Sequence, residues 1–202
     1  MTMISKQGQR SILLAAVIFL IAGSASAAER IETVEAAFAA HHLEHTRFDD
    51  LKEPELSSAD RLFLRDLFEL IDEFVLLNAN VTLWFFSDGE KGTHAAHYLE
   101  RNETLAGRFE GLTPPVRAEP IRGYLVECAR LQRDFIRDWL RAIENGSDLD
   151  FPARDENAYH EGLHRSERLL LKTYAEVRAV FPRTSDRTNQ VIRSHLHAMG
   201  LR

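Results

Sequence analysis

The sequence predicts an all-α, single-domain helical bundle of four to five principal helices behind a cleaved signal peptide. Three observations predict it. First, Arg61 to Phe86 carries two adjacent apolar stripes at helical spacing. One is Phe63, Leu67, Leu70, Phe74, Leu77, Val81, Trp84; the other is Leu64, Phe68, Ile71, Val75, Phe85, with Asn78 inside the run. One stripe marks a surface helix, whereas two mark a helix packed on from more than one side. Second, the flanking stretches repeat the three-and-four spacing and stop at glycine or proline. Third, no run alternates with period two between turn signals, so no strand is expected.

Residues 1–27 read as a signal peptide, with Lys6 and Arg10 as a basic region, Ile12 to Ala22 as a short apolar core and Ala25-Ser26-Ala27 as a cleavage site. The apolar core is shorter than the roughly 20 residues that span a bilayer. Residues 28–202 then form one helical domain with no stable membrane insertion after cleavage. Removing the signal takes away two basic residues and no acid, so the domain is more acidic than the net charge of −6 for the whole chain. That balance excludes nucleic acid as a partner. Cys128 is the only cysteine, so no intrachain disulfide is available. With the style of the signal, this points to a bacterial periplasmic or secreted location. The sequons at Asn80, Asn102 and Asn145 are then accidental.

In chain order, a first helix is expected from about Glu29 to Phe48, with the seam Ile31, Val34, Phe38, His41, His45, Phe48. Both histidines continue the apolar spacing and should face inward. Ser57 with Asp60 three residues on forms a capping-box-like start for the central helix, and Asp88-Gly89 ends it. A shorter helix over about His94 to Glu110 follows, with His94 at the margin of its core face and His97 farther round. After Thr113-Pro114-Pro115, a helix from Pro120 to Glu144 buries Tyr124, Cys128, Leu131, Phe135 and Trp139. Its outer stripe of Arg130, Arg133, Arg137 and Arg141 alternates with Asp134 and Asp138, as a solvated ion-paired face does. A fifth helix, about Asp155 to Phe181, has the seam His160, Leu163, Glu167, Leu170, Tyr174, Val177, Phe181. A last short helix, about Asp186 to Met199, packs Val191, Ile192, Leu196 and Met199.

Two polar groups on the fifth seam need partners if buried. His41 and His45 form one inward pair, and His94 and His97 offer another. Bundle cores host metals on His and carboxylate from facing helices. The candidate ligands are therefore His160, His164, His41, His45, His94, His97 and Glu167, with His160 and His164 expected to face His41 or His45. Such a site suits Zn or another transition metal rather than Ca or Mg. The plainer reading is that seam histidines donate to a backbone carbonyl or to a facing acid such as Glu167 or Asp72.

His160-Glu161-Gly162-Leu163-His164 resembles the H-E-x-x-H zinc-binding helix of zincin metallopeptidases. That resemblance implies a zinc hydrolase with Glu161 as catalytic base. It departs from the family at Arg165, where an uncharged residue normally stands, and it provides no evident third ligand. Gly92-Thr93-His94-Ala95-Ala96-His97-Tyr98-Leu99 is similar to the G-x-H-A-x-E-Y-L stretch of imelysin-type periplasmic proteins, which are associated with metals, with His97 in the place of their glutamate. The His/Asp/Glu order is not that of hemerythrin. The expected function is transition-metal binding or handling through inward histidines. The alternatives are a metal-free accessory module that offers a helical face to a protein partner, and the zinc hydrolase.

Overall fold

The computed structural model describes residues 30–85, 91–145 and 158–201; the signal segment 1–27 lies outside them. The described residues form six α-helices and no strand. The helices are α1 (Val34–Ala40), α2 (Ser58–Phe85), α3 (Lys91–Gly111), α4 (Glu119–Glu144), α5 (Ala158–Val180) and α6 (Asp186–Ala198). The all-α class holds. Four helices exceed twenty residues, and α1 and α6 are short at 7 and 13.

Both stripes of α2 are buried as far as Trp84; the Phe85 side chain lies outside the described ones. Phe63, Leu67, Leu70, Phe74, Leu77, Val81 and Trp84 lie in the core together with Leu64, Phe68, Ile71 and Val75. Such double burial stabilises mainly by removing apolar surface from water, at roughly 25 cal/mol per Å². Ser57 Oγ accepts from the Asp60 N–H at 3.1 Å and so starts α2 where its capping pattern stands. Helices α2, α3, α4 and α5 each pack on the next in order, α1 lies on α2, and α6 packs on both α2 and α5. A short connector, the 3-10 turn Val116–Ala118, brings the chain into α4.

The first helix differs most from its sequence pattern. It is expected to run to Phe48 but stops at Ala40. The His42 N–H donates to Ala39 O and the Leu43 N–H to Phe38 O, both near 3 Å, and His42 takes φ 57°. This is a Schellman-type end with histidine in the left-handed position that glycine usually fills, so the sequence carries no stop signal there. The apolar contact that accompanies such ends comes from Leu43, packed against the core. The chain then crosses α2 as a strap. A 3-10 turn, Phe48–Asp50, seats Phe48 5.3 Å from the Phe68 ring.

Two polar anchors tie this arm down. The Ile31 N–H donates to Asn80 Oδ1 (3.0 Å) and Asn80 Nδ2 returns a bond to Ile31 O (2.9 Å). Glu53, only 3 % exposed, accepts from the Ser185 N–H (3.0 Å), Ser185 Oγ (2.6 Å) and Thr188 Oγ1 at the start of α6. Burial pushes its carboxyl up, but the Ser185 and Thr188 hydrogen bonds, with the Arg61 charge, together hold it below the ordinary range. An anion at a helix N-terminus is also favoured by the helix dipole.

On α5 the inward residues are Ser166, Leu170, Thr173 and Val177, with Leu163, Glu167 and Tyr174 only partly covered. The seam thus lies beside the one expected, because the small Ser166 and Thr173 return their hydroxyls to Leu163 O and Leu169 O and can be buried. The arginine stripe of α4 is ion-paired: Arg130 with Glu110, Arg133 with Glu103 and Asp134, Arg137 with Asp134, and Arg141 with Asp138. Asn80 and Asn102 are buried, which leaves no room for a glycan at either sequon. None of the described helices is long and apolar enough to cross a membrane.

Candidate metal centre

Three elements converge where the strap crosses α2. Asp72 projects from α2, His195 from the last turn of α6, and His45 from the strap. One ligand atom from each lies within 4.8 Å of the other two. Asp72 Oδ2 is 2.9 Å from His45 Nε2, and Asp72 Oδ1 is 3.2 Å from His195 Nε2. The second contact is at hydrogen-bonding distance but lacks hydrogen-bond alignment, so both atoms are buried without a hydrogen bond. The walls are apolar. The Phe38 ring centroid lies 5.0 Å from that of His45 and 4.6 Å from that of His195, and Phe68 lies 4.8 Å from His195.

The far ring nitrogens are engaged as well. His195 Nδ1 lies 2.9 Å from Val191 O, one turn back on α6, which fixes Nδ1 as the protonated nitrogen. His45 Nδ1 faces Glu35 Oε1 at 3.5 Å, and Arg47 Nη2 reaches the same oxygen at 3.9 Å. A neutral imidazole has one N–H. If His195 gives it to Val191, its Nε2 lone pair faces a carboxylate oxygen. His45 likewise has a carboxylate at each nitrogen. Lone pair against lone pair in a dry pocket is unfavourable without positive charge between them. A second ring proton or a metal ion can supply that charge.

The candidate ligands identified from sequence are distributed differently. His45 is in the cluster. His41 is half-buried and outside it, because the chain leaves the helix before the i,i+4 relation is made. His94 stacks on Trp84 at 4.6 Å and 17°, with His97 at the ring edge, 6.1 Å away. Trp84 is twelve residues beyond Asp72, a helical distance of about 18 Å. The His164 side chain is 62 % exposed, with Nδ1 3.9 Å from Glu167 Oε2. Glu161 is also exposed and pairs with Arg168 Nη2 at 2.7 Å. The side chain of His160 lies outside the described ones. The structure therefore does not bring His164 to His41 or His45.

Two members of the cluster, Asp72 and His195, are not among the ligands expected from the sequence. His195 falls between Val191 or Ile192 and Met199 at core spacing, a signal present in the sequence. Asp72 sits among Asp66, Glu69 and Glu73 and reads as part of a wet face; it is covered by the long-range return of the strap and by His195 of α6. The plainer reading of seam histidines, donation to a backbone carbonyl beside a facing Asp72, describes His195 well.

A second buried polar group lies farther along α2. Asn78 Nδ2 donates to Gln132 Oε1 (2.9 Å) and Met199 O (2.6 Å), Gln132 Nε2 donates to Met199 O (3.2 Å), Tyr98 donates to Asn78 Oδ1 (3.3 Å), and Asn102 Nδ2 donates to the Tyr98 hydroxyl (3.1 Å). Burial pushes the neighbouring Cys128 thiol up to about 12, which makes it an inert core residue. The imelysin-like Tyr98-Leu99 pair thus serves packing, with Tyr98 fully buried. No family model, curated protein or solved structure matches this chain.

Proposed function

We propose that this chain is an extracytoplasmic transition-metal-binding protein whose ligands are His45, Asp72 and His195. One observation carries the reading: both histidines aim Nε2 at one carboxylate while their Nδ1 atoms face a carbonyl (Val191) and a carboxylate (Glu35). Metal-ligating histidines characteristically engage their second nitrogen this way, which fixes ring orientation and raises ligand basicity. The two Nε2 atoms lie 2.9 and 3.2 Å from the two oxygens of one carboxylate, and one ligand atom from each residue lies within 4.8 Å of the others, so a small shift of the rings would gather them around one ion with bonds of about 2.0–2.1 Å. Two imidazoles and a carboxylate favour Zn, Co, Ni, Cu or Fe over Ca or Mg. Three protein donors leave a fourth position open, which suits a metal that is picked up and passed on. The basic, apolar and Ala-x-Ala regions of residues 1–27 support export.

The test is elemental analysis of untagged chain purified from periplasmic extract, followed by titration of the stripped chain with Co(II) and Zn(II). One equivalent should bind with a four- or five-coordinate cobalt spectrum and raise the melting temperature. Asp72→Asn and His45→Ala should lose both effects while keeping full helix content. Failure of the unmodified chain to bind any transition ion would overturn the reading and leave the triad as a charged structural contact.

A further inference from the structure

The cluster is shut. His195 is 1 % exposed, and the side chains of His45 and Asp72 are 6 % and 15 % exposed. An ion cannot reach three such donors unless something moves. Asp72 and His195 are carried by α2 and α6, whose backbones are hydrogen-bonded helix packed into the core. His45 stands in the stretch from His41 to Arg47, which belongs to no helix. The last backbone bond before it is Leu43 N–H to Phe38 O, and the next is Asp50 N–H to Arg47 O. Residues 44–47 donate no backbone hydrogen bond to another backbone group among the described residues. The stretch is pinned on both sides, by the buried Phe38 and by Phe48, whose ring rests on Phe68. Opening it costs few hydrogen bonds and need not undock the rest of the arm.

We infer that His41–Arg47 is a lid over the metal centre, that ions enter and leave by its opening, and that His45 is the exchanging ligand on a fixed pair, Asp72 and His195. This rests on the metal-binding reading. Glu35 lies on the rim, 58 % exposed on α1, and its carboxylate faces His45 Nδ1 and Arg47 when the lid is closed. It is a positioning residue that latches the lid from outside. With the lid open, the same carboxylate and the freed imidazole form a first acceptor for an incoming cation. Leu43 is the apolar hinge contact, since it packs against the core and is not itself one of the three ligand residues.

The experiment is release of Co(II) from the loaded full chain into increasing EDTA, followed by the cobalt absorption. A lid makes release limited by opening, so the rate should rise and then level at a plateau independent of chelator. Leu43→Ala should raise that plateau about tenfold with an unchanged cobalt spectrum. In parallel, Zn(II) should slow exchange of the Leu43 amide, which is bonded to Phe38 O, more than that of amides within α2 or α6. A release rate proportional to chelator throughout, or equal plateaus in the two proteins, would overturn the lid while leaving the metal site standing. Absence of stoichiometric Co(II) binding would overturn both.

Discussion

Helix α2 carries two buried polar islands, Asp72 with its histidines and, six residues on, Asn78 with its amides. They share a helix and dry surroundings but differ in bookkeeping of donors and acceptors. At Asn78 neutral donors meet acceptors: two amide N–H groups converge on Met199 O, and Tyr98 closes the chain of bonds from Asn102. At Asp72 acceptors meet acceptors, with Asp72 Oδ1 and His195 Nε2 at 3.2 Å and no hydrogen bond between them. The first arrangement ties α2, α3, α4 and the end of α6 into one core and leaves a single buried acceptor, Asn102 Oδ1, without a donor. At the second, Asp72 Oδ2 bonds His45 Nε2, while Asp72 Oδ1 and His195 Nε2 call for a proton or a cation between them. What sets the second apart is not burial, which is deeper at Asn78, but the pairing of two unsatisfied acceptors face to face, Asp72 Oδ1 and His195 Nε2, against one lone amide oxygen at Asn102.

The contrast can be broken from either side. Asn78→Leu should have the largest effect, a loss of about 3 kcal/mol in denaturant melts, because it leaves Gln132 Oε1 without its donor and the Tyr98 hydroxyl without its acceptor and removes one of the two bonds to Met199 O. It should not change metal stoichiometry. Asp72→Asn should do the reverse. Affinity for Zn(II) should fall at least about 100-fold, roughly 2.7 kcal/mol, while far-UV helix content holds. If Asn78→Leu abolished binding, or Asp72→Asn left it intact, the division of labour between the islands would be wrong.

Sequence patterning exposed one island better than the other. Asn78 is visible as a polar residue inside an apolar stripe, so local periodicity alone places it in the core. The double burial of α2 and the Ser57 cap are legible for the same reason, since they depend on residues three and four apart. His45 was reached through a seam that continues only if the helix runs to Phe48, and the chain abandons the helix at Ala40. A left-handed histidine has no compositional signature comparable to glycine. Asp72 is hidden because its burial is made by residues 27 and 123 positions away, His45 and His195. The H-E-x-x-H spacing places its residues one turn apart on α5, but spacing cannot say whether that face looks inward, and the Glu161 and His164 side chains are exposed.

Glu53 offers a third buried polar case that sharpens the comparison, being an anion supplied with donors. Its folded carboxyl is held below the ordinary value of 4.5, so the bonds to Ser185 and Thr188 contribute fully above that value. The contribution fades as pH falls through the lower folded value, where the native carboxylate takes up its proton. Glu53→Gln should cost about 1–2 kcal/mol at pH 7, in line with charge-assisted hydrogen bonds. The gap between the two proteins should close as pH drops below the ordinary carboxyl range. A gap that widened on acidification would show that the Glu53 carboxylate is not the stabilising form.

The smallest effects are expected at the H-E-x-x-H stretch. Glu161 is exposed and bound to Arg168, and His164 is 62 % exposed beside Glu167. Exposed pairs of this kind contribute little, about 0–1 kcal/mol, because water screens the attraction and ordering two long side chains has an entropic cost. Glu161→Gln and His164→Ala should each shift stability by no more than about 0.5 kcal/mol and leave the Co(II) titration unchanged. The contrast with Asp72→Asn is the decisive one, since both sets of changes alter a His/carboxylate group that could hold zinc. They differ in whether protein or water surrounds the donors. Should the His160→Ala/His164→Ala double variant lose the bound metal while Asp72→Asn keeps it, the ion belongs to α5, and the buried triad on α2 is held together by ring protons alone.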